Sequence, residues 1–124
     1  MVFMGVAMLA SLYGFMKYSK YNPPLDPAYY KVDWRKEAAD PQQKLNGQMQ
    51  FEIRCMSCHG PQGQGGLVAP SLADAQWIHG GSYDEVFGVI CEGIGGTQMT
   101  GWRTKLQKTD IVAITVYVES LSTK

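Results

Sequence analysis

Two cysteines and a histidine stand together in the run Cys55-Met56-Ser57-Cys58-His59. The two thiols are three positions apart, about one turn of a helix, so a helical backbone presents them on one side. Thiols at this spacing can form thioethers with the two vinyl groups on one edge of a porphyrin, and the next residue then lies beneath the iron. His59 can supply a neutral ring nitrogen as an axial ligand. The run therefore predicts one covalent haem c, attached through Cys55 and Cys58 with its iron bound to His59.

The same cysteine pair has two weaker interpretations. A redox dithiol of the thioredoxin type needs a βαβ context, and a structural zinc site needs four ligands at recognisable spacing. Only Cys91 and His79 remain to complete a metal site with Cys55 and Cys58, and they follow no second CxxC or HxxxH pattern. We interpret Cys91 as a small buried hydrophobic residue rather than a reactive thiol or a ligand.

Length and charge restrict the class of protein. The chain has 124 residues and a formal net charge of zero. This length suits one small domain with an appendage, and the absence of a basic excess argues against a nucleic-acid partner.

The N-terminal segment predicts a membrane anchor. Residues 1–16 carry no charged side chain, and residues 17–21 are the lysines, tyrosines and serine expected at an interface. Sixteen helical residues span about 24 Å, so residues 1–21 are a marginal single transmembrane helix. An uncleaved signal peptide and a buried soluble helix are the alternatives. Because haem c is attached on the outer face of an energy-transducing membrane, we expect the haem domain on the periplasmic side of the inner membrane.

Residues 22–39 are predicted to be a tether, because three prolines favour extended structure there. The tether also carries the aromatic residues Tyr29, Tyr30 and Trp34. These side chains dock either on a partner subunit or on the haem domain itself, and the sequence leaves both open.

Residues 40–124 form the predicted haem domain. Asp40 can cap a helix with Pro41 at its first position and Gln43 at the capping-box position. Apolar residues recur at helical spacing up to the CxxCH run, namely Leu45, Met49, Ile53 and Met56. The glycine-rich run 60–66 then ends the helix and is expected to pass the haem edge.

Two further segments carry helix signals. Ser82 with Glu85 forms a capping box, and Tyr83, Phe87, Ile90 and Cys91 share a face before Gly93 ends the helix. In residues 110–121 the β-branched content favours a strand, whereas the length and the apolar spacing favour a helix capped by Thr109. The residues alone leave this segment open.

An electron-carrying haem needs a second strong axial ligand. Met49 and Met56 lie on or next to the attachment helix, so neither easily reaches the other side of the ring. Met99 lies in a glycine-rich loop about 40 residues beyond His59. We predict Met99 as this ligand, with His79 as the alternative.

From residue 40 to the end, the chain resembles a class I (monohaem) cytochrome c. The matching residues are Gly47, Phe51, the CxxCH run with Gly60, Ala69-Pro70-Ser71-Leu72, Gly80-Gly81, Ile90, Gly93, Met99, Trp102 and Tyr117-Val118. The resemblance implies an all-α fold, a small class I cytochrome c fold wrapped around one covalent haem and preceded here by the transmembrane helix. Its first and last helices would cross near Gly47, Phe51 and Tyr117.

The resemblance also implies roles around the haem. The Pro70 carbonyl would accept a hydrogen bond from Nδ1 of His59, and Trp77 and Trp102 would pack near the haem rim or its propionates. The family usually has proline after the ligand methionine, whereas Thr100 follows Met99 here. We therefore expect a looser loop and a more labile bond from iron to sulfur.

The function predicted from these features is one-electron transfer, with no substrate bond broken. The anchor and the aromatic tether indicate a subunit of a respiratory or photosynthetic complex, with other subunits and redox protein donors and acceptors as partners. A haem with a labile distal ligand, peroxidase-like or gas-binding, is the alternative function.

Overall fold

The computed structural model describes residues 26–73 and 80–122. A short 3-10 helix, Pro27–Tyr30, is followed by five α-helices. They are α1 (Trp34–Ala39), α2 (Pro41–Arg54), α3 (Met56–His59), α4 (Tyr83–Glu92) and α5 (Lys108–Leu121). Within these ranges no helix has the length and apolar character needed to cross a membrane. The predicted anchor at residues 1–21, Trp77 and His79 lie outside the described residues.

Helix α2 begins where the sequence predicts. The Asp40 carboxylate accepts a hydrogen bond from the Gln42 backbone N–H at 2.9 Å, and Pro41 occupies the first turn. The capping-box role predicted for Gln43 is wrong, because its side-chain amide donates to Glu37 of α1 instead. Helix α2 ends just before Cys55, so it delivers the CxxCH run directly.

The C-terminal segment is a helix, α5, and it is buried on every side. All eight residues from 111 to 118 are buried. A helix covered all round needs no polar face, so its sequence lacks the amphipathic period that identifies most helices. The predicted cap at Thr109 is wrong, because Gln107 is the N-cap and Thr109 lies within the first turn.

Helices α2 and α5 cross at Gly47. A Cβ atom at this position would lie 1.9 Å from the Ala113 carbonyl oxygen and 2.8 Å from Cβ of Tyr117. Next along α2, Phe51 is fully buried, and its ring centroid lies 5.2 Å from that of Tyr117. The crossing implied by the cytochrome c resemblance is therefore present.

Helix α4 follows its sequence signals. The Ser82 hydroxyl accepts from the Glu85 backbone N–H at 3.2 Å, and the Glu85 carboxylate accepts from the Ser82 N–H at 3.0 Å. Gly93 ends the helix. Cys91 is only 2 % exposed, and burial raises the pKa of its thiol to about 12. This burial agrees with its interpretation as a hydrophobic residue.

Residues 26–39, which we call the strap, pack against α4 of the same chain. The Trp34 ring stacks on Tyr83 with centroids 5.3 Å apart, and its Nε1 donates to the Asp84 carboxylate at 2.7 Å. The strap therefore covers the haem domain itself, one of the two possibilities that the sequence left open.

The first turn of the strap completes this cover. Tyr29 stacks on Phe87 with ring centroids 6.1 Å apart, and the Tyr30 hydroxyl donates to the Glu92 carboxylate. Nζ of Lys108, on α5, lies 5.1 Å from the centre of the Tyr29 ring. The strap is thus attached to both α4 and α5.

Replacing Gly47 with alanine is expected to lower the free energy of unfolding by about 3 kcal/mol or more, because the added methyl group meets backbone atoms of α5 that cannot move alone. Gly88 of α4 is the matched control, since a Cβ there meets nothing within 4 Å. Gly88→Ala should be neutral or stabilising by up to about 1 kcal/mol. Urea unfolding of the holoprotein measures both, and equal effects would contradict the close crossing.

Weakening the strap should expose the Cys91 thiol. Trp34→Ala removes a stacking contact and a hydrogen bond, so we expect alkylation of Cys91 by iodoacetamide at pH 8 to become at least about tenfold faster. The haem-loaded protein is used because its other two cysteines are then thioethers. Arg35→Ala, at an exposed neighbouring position, is the control. Unchanged alkylation in Trp34→Ala would show that the strap does not protect Cys91.

Candidate haem site

A cavity of about 520 Å³ opens between the end of α2, helix α4, helix α5 and two loops. Its volume lies within the range of about 300–1,000 Å³ usual for small-molecule and cofactor sites. Much of its wall is aliphatic or aromatic. Besides Pro70, Met99 and Trp102, the apolar members are Phe51, Val68, Ala69, Leu72, Val86, Val89, Ile90, Ile94, Ile114 and Val118.

The CxxCH run lies at the edge of this cavity. Cys55, Cys58 and His59 all line it. The Cys58 and His59 backbone N–H groups both donate to the Cys55 carbonyl, at 3.3 and 3.0 Å, so one helical turn presents the three side chains. Burial raises the pKa of the Cys55 thiol to about 11, as expected beside an apolar wall.

His59 is suited to bind iron. Burial lowers the pKa of its imidazole, and a backbone hydrogen bond with Pro70 partly opposes this shift. The ring is therefore neutral at pH 7, as a metal ligand must be. Its Nδ1 atom is buried. A neutral imidazole beside two thiols in an apolar cavity fits covalent haem.

The loop after α3 brings Pro70 close to His59. The Gly65 backbone N–H donates to the His59 carbonyl at 2.7 Å. Gly65 has a φ of +77°, and a Cβ there would lie 2.6 Å from the carbonyl carbon of Pro70. The absence of a side chain at this position therefore lets the two stretches of chain meet. Residues 68–72, rather than the glycine run 60–66 itself, line the cavity.

Met99 and Trp102 reach the cavity from the loop between α4 and α5. Both are half-buried, and the Trp102 backbone N–H donates to the Ile90 carbonyl at 2.9 Å, which ties the loop to α4. The structure thus brings six of the seven predicted site residues to one cavity. They are Cys55, Cys58, His59, Pro70, Met99 and Trp102.

Cys91 does not join this group. It lies against Tyr29 of the strap and is absent from the lining of the cavity. Within residues 26–73 and 80–122, no three His, Cys, Asp or Glu side chains cluster as metal ligands.

The sequence interpretation missed part of the cavity wall. Val86 and Val89 were missed. Together with Ile90, which the sequence analysis did name, they form a second apolar face of α4, and their spacing of three and four residues was the available signal. Arg54 also lines the cavity, with its Nε donating to Gln50 at 3.0 Å. Nothing in the spacing of the sequence distinguished Arg54 from other surface cations.

Sequence comparison relates the chain to subunits of cbb3-type oxidases. A family profile described as cytochrome c oxidase, cbb3-type, subunit III matches residues 42–118. The FixP subunit of the cbb3-type oxidase of Azorhizobium caulinodans is 38 % identical over 73 residues, which are 57 % of this chain and 25 % of FixP. The CcoP subunit of Rubrivivax gelatinosus is 33 % identical over 85 residues, 68 % of this chain and 28 % of CcoP. The chain thus matches only a quarter to a third of the length of these relatives.

Structural comparison agrees on the fold. Cytochrome cL of Methylophaga aminisulfidivorans superposes with a TM-score of 0.60 at 26 % identity, covering 67 % of this chain and 55 % of that protein. A cytochrome c fold carries covalent haem c with iron, and Cys55 and Cys58 stand at the attachment positions. The chain belongs to the family described as cytochrome c oxidase, cbb3-type, subunit III.

Proposed function

We propose that this chain passes single electrons through one covalent haem as part of a membrane-bound oxidase of the cbb3 type. The observation that carries the proposal is the convergence of the CxxCH run and Met99 on one apolar cavity. Haem c supplies the one-electron redox centre when bound. The residues of the chain hold and orient it and keep water away from it. They transfer electrons and do not themselves transform a substrate.

The residues on the side of the haem that carries the CxxCH run have three roles. Cys55 and Cys58 hold the porphyrin edge as thioethers, and His59 binds the iron through its neutral imidazole. Pro70 accepts a hydrogen bond from the other ring nitrogen and so orients His59. The short helix α3 supports this assignment, because it presents the cysteines and the histidine in one turn.

Met99 is the second axial ligand in this proposal. Its thioether favours the reduced iron and so gives a relatively high potential. The apolar wall reinforces this effect, since a dry site disfavours added charge on the metal. Trp102 lines the same cavity as Met99 and belongs to the same loop, and we assign it to the haem rim. The place of Trp77 near that rim remains a prediction.

Met99→Ala is expected to abolish the charge-transfer band from sulfur to iron at the red end of the ferric spectrum, because this band requires a bound thioether. Met49→Ala is the matched control, since Met49 is exposed on α2 and does not line the cavity. An unchanged band in Met99→Ala would contradict the assignment. A wild-type ferric spectrum that lacks the band and becomes high-spin in His79→Ala would assign the site to His79 instead. Tight binding of carbon monoxide by the ferrous wild type would indicate a labile ligand.

A membrane anchor at residues 1–21 completes the proposal. The uncharged run 1–16 supports it, as does the similarity to FixP and CcoP, which are subunits of an oxidase. With the N-terminus inside, the haem domain lies on the periplasmic face of the inner membrane. Lysines 17 and 20 then lie on the outer side, against the usual bias of positive charge towards the inside.

An exposed apolar stripe on α2 supports assembly with another subunit. Leu45, Met49 and Ile53 are 55, 61 and 70 % exposed on the side of α2 that faces away from α5. The flanking amides of Gln42 and Asn46 are hydrogen-bonded to each other at 2.9 Å. Three large apolar side chains with the exposed acidic neighbour Glu52 suit a protein surface better than anionic lipid headgroups. We therefore assign the stripe to contact with a neighbouring oxidase subunit.

Replacing Leu45 and Ile53 together by glutamine should reduce co-purification with the other oxidase subunits in mild detergent by about tenfold or more, because two apolar contacts become polar. The haem spectrum should not change, since neither residue lines the cavity. Leu67→Gln removes a leucine that lies outside α2 and is more exposed than Leu45, and it is the control. Full co-purification of the double variant would show that α2 does not contact a neighbouring subunit.

A further inference from the structure

The loop that carries Met99 is closed without the proline that usually follows the ligand methionine. Gly93 and Thr100 form an isolated antiparallel bridge at its ends. Within this bridge, the Ile94 backbone N–H donates to the Met99 carbonyl at 3.0 Å. The backbone thus fixes the carbonyl of Met99, and a second constraint acts on its N–H.

That second constraint is the side chain of Thr97. The Thr97 hydroxyl donates to the Ile94 carbonyl at 2.7 Å and accepts from the Met99 backbone N–H at 3.2 Å. One hydroxyl therefore links the residue that enters the loop to the residue that carries the sulfur. The Thr97 backbone N–H also donates to the Ile94 carbonyl, at 3.2 Å, which places the hydroxyl for both contacts.

These contacts act directly on the position of the Met99 side chain. A side chain leaves its backbone in a direction fixed by φ and ψ, and hydrogen bonds to both the N–H and the carbonyl of Met99 restrict those angles. Thr97 and Met99 line the same cavity, so the constraint lies next to the haem space. We propose that Thr97 is a positioning residue that holds Met99 ready to bind the iron. This inference rests on Met99 being the second axial ligand.

Three substitutions separate the hydroxyl from the rest of the side chain. Thr97→Val keeps the shape but can neither donate nor accept, and Thr97→Ala removes the hydroxyl without adding a branch. Thr97→Ser retains both hydrogen bonds. Thr104→Val is the control for the same chemical change, because Thr104 is exposed and does not line the cavity.

The test is a titration of the ferric holoprotein with imidazole, which competes with the thioether for iron. Binding is measured by the loss of the charge-transfer band from sulfur to iron. Thr97→Val and Thr97→Ala should bind imidazole about tenfold more tightly than the wild type, the change expected when one or two ordinary hydrogen bonds are lost. Thr97→Ser and Thr104→Val should stay within about twofold of the wild type, which is below the effect of one such bond.

Two results would overturn the role of Thr97. Imidazole affinity of Thr97→Val and Thr97→Ala equal to that of the wild type would show that the hydroxyl does not position Met99. Raised imidazole affinity in Thr97→Ser and Thr97→Ala, with wild-type affinity in Thr97→Val, would assign the effect to packing of the methyl group. A wild type that lacks the band and binds imidazole as tightly as Met99→Ala would instead overturn Met99 as the ligand.

Discussion

The close crossing of α2 and α5 at Gly47 is the contact on which the rest of the structure depends. Helix α5 is buried on all sides and forms the centre of the domain. Helix α2 can lie against its backbone only because residue 47 has no side chain. The crossing is eight residues before Cys55, about 12 Å along the helix, so it fixes where the attachment motif begins. The same α5 supplies Ile114 and Val118 to the cavity.

Helix α4 serves two surfaces at once. Val86, Val89 and Ile90 line the cavity, while Phe87 and Cys91 are covered by the strap. A helix with two apolar faces needs both faces covered. Among the described residues, those from 40 onward do not cover the face that contains Phe87 and Cys91, and the strap covers it instead. The strap is therefore a partly buried cover packed against the hydrophobic core. Residues 26–39 consequently do not act as a free spacer between the predicted anchor and the haem site.

Local signals in the sequence predicted local structure well. The CxxCH spacing and the capping box at Ser82 depend on residues within one helical turn, and both are present. Structure that depends on contacts with distant parts of the chain could not be predicted from these local signals. The β-branched residues of α5 are compatible with a strand or a helix, and only the burial of the segment on all sides explains the helix. The side chain of Gln43 donates to Glu37, a partner that no capping rule predicts.

The Met99 loop shows the same limit at the site itself. The sequence reveals that a proline is missing, and so predicts a looser loop, but it cannot reveal that the Thr97 hydroxyl bridges Ile94 and Met99. A proline restrains a loop covalently in every environment, whereas a hydroxyl restrains it only while water does not compete. A cofactor that fills the cavity removes water from the wall that includes Thr97, and hydrogen bonds strengthen where the local dielectric falls. The proposed hold of Thr97 on Met99 would therefore be firmest with haem bound.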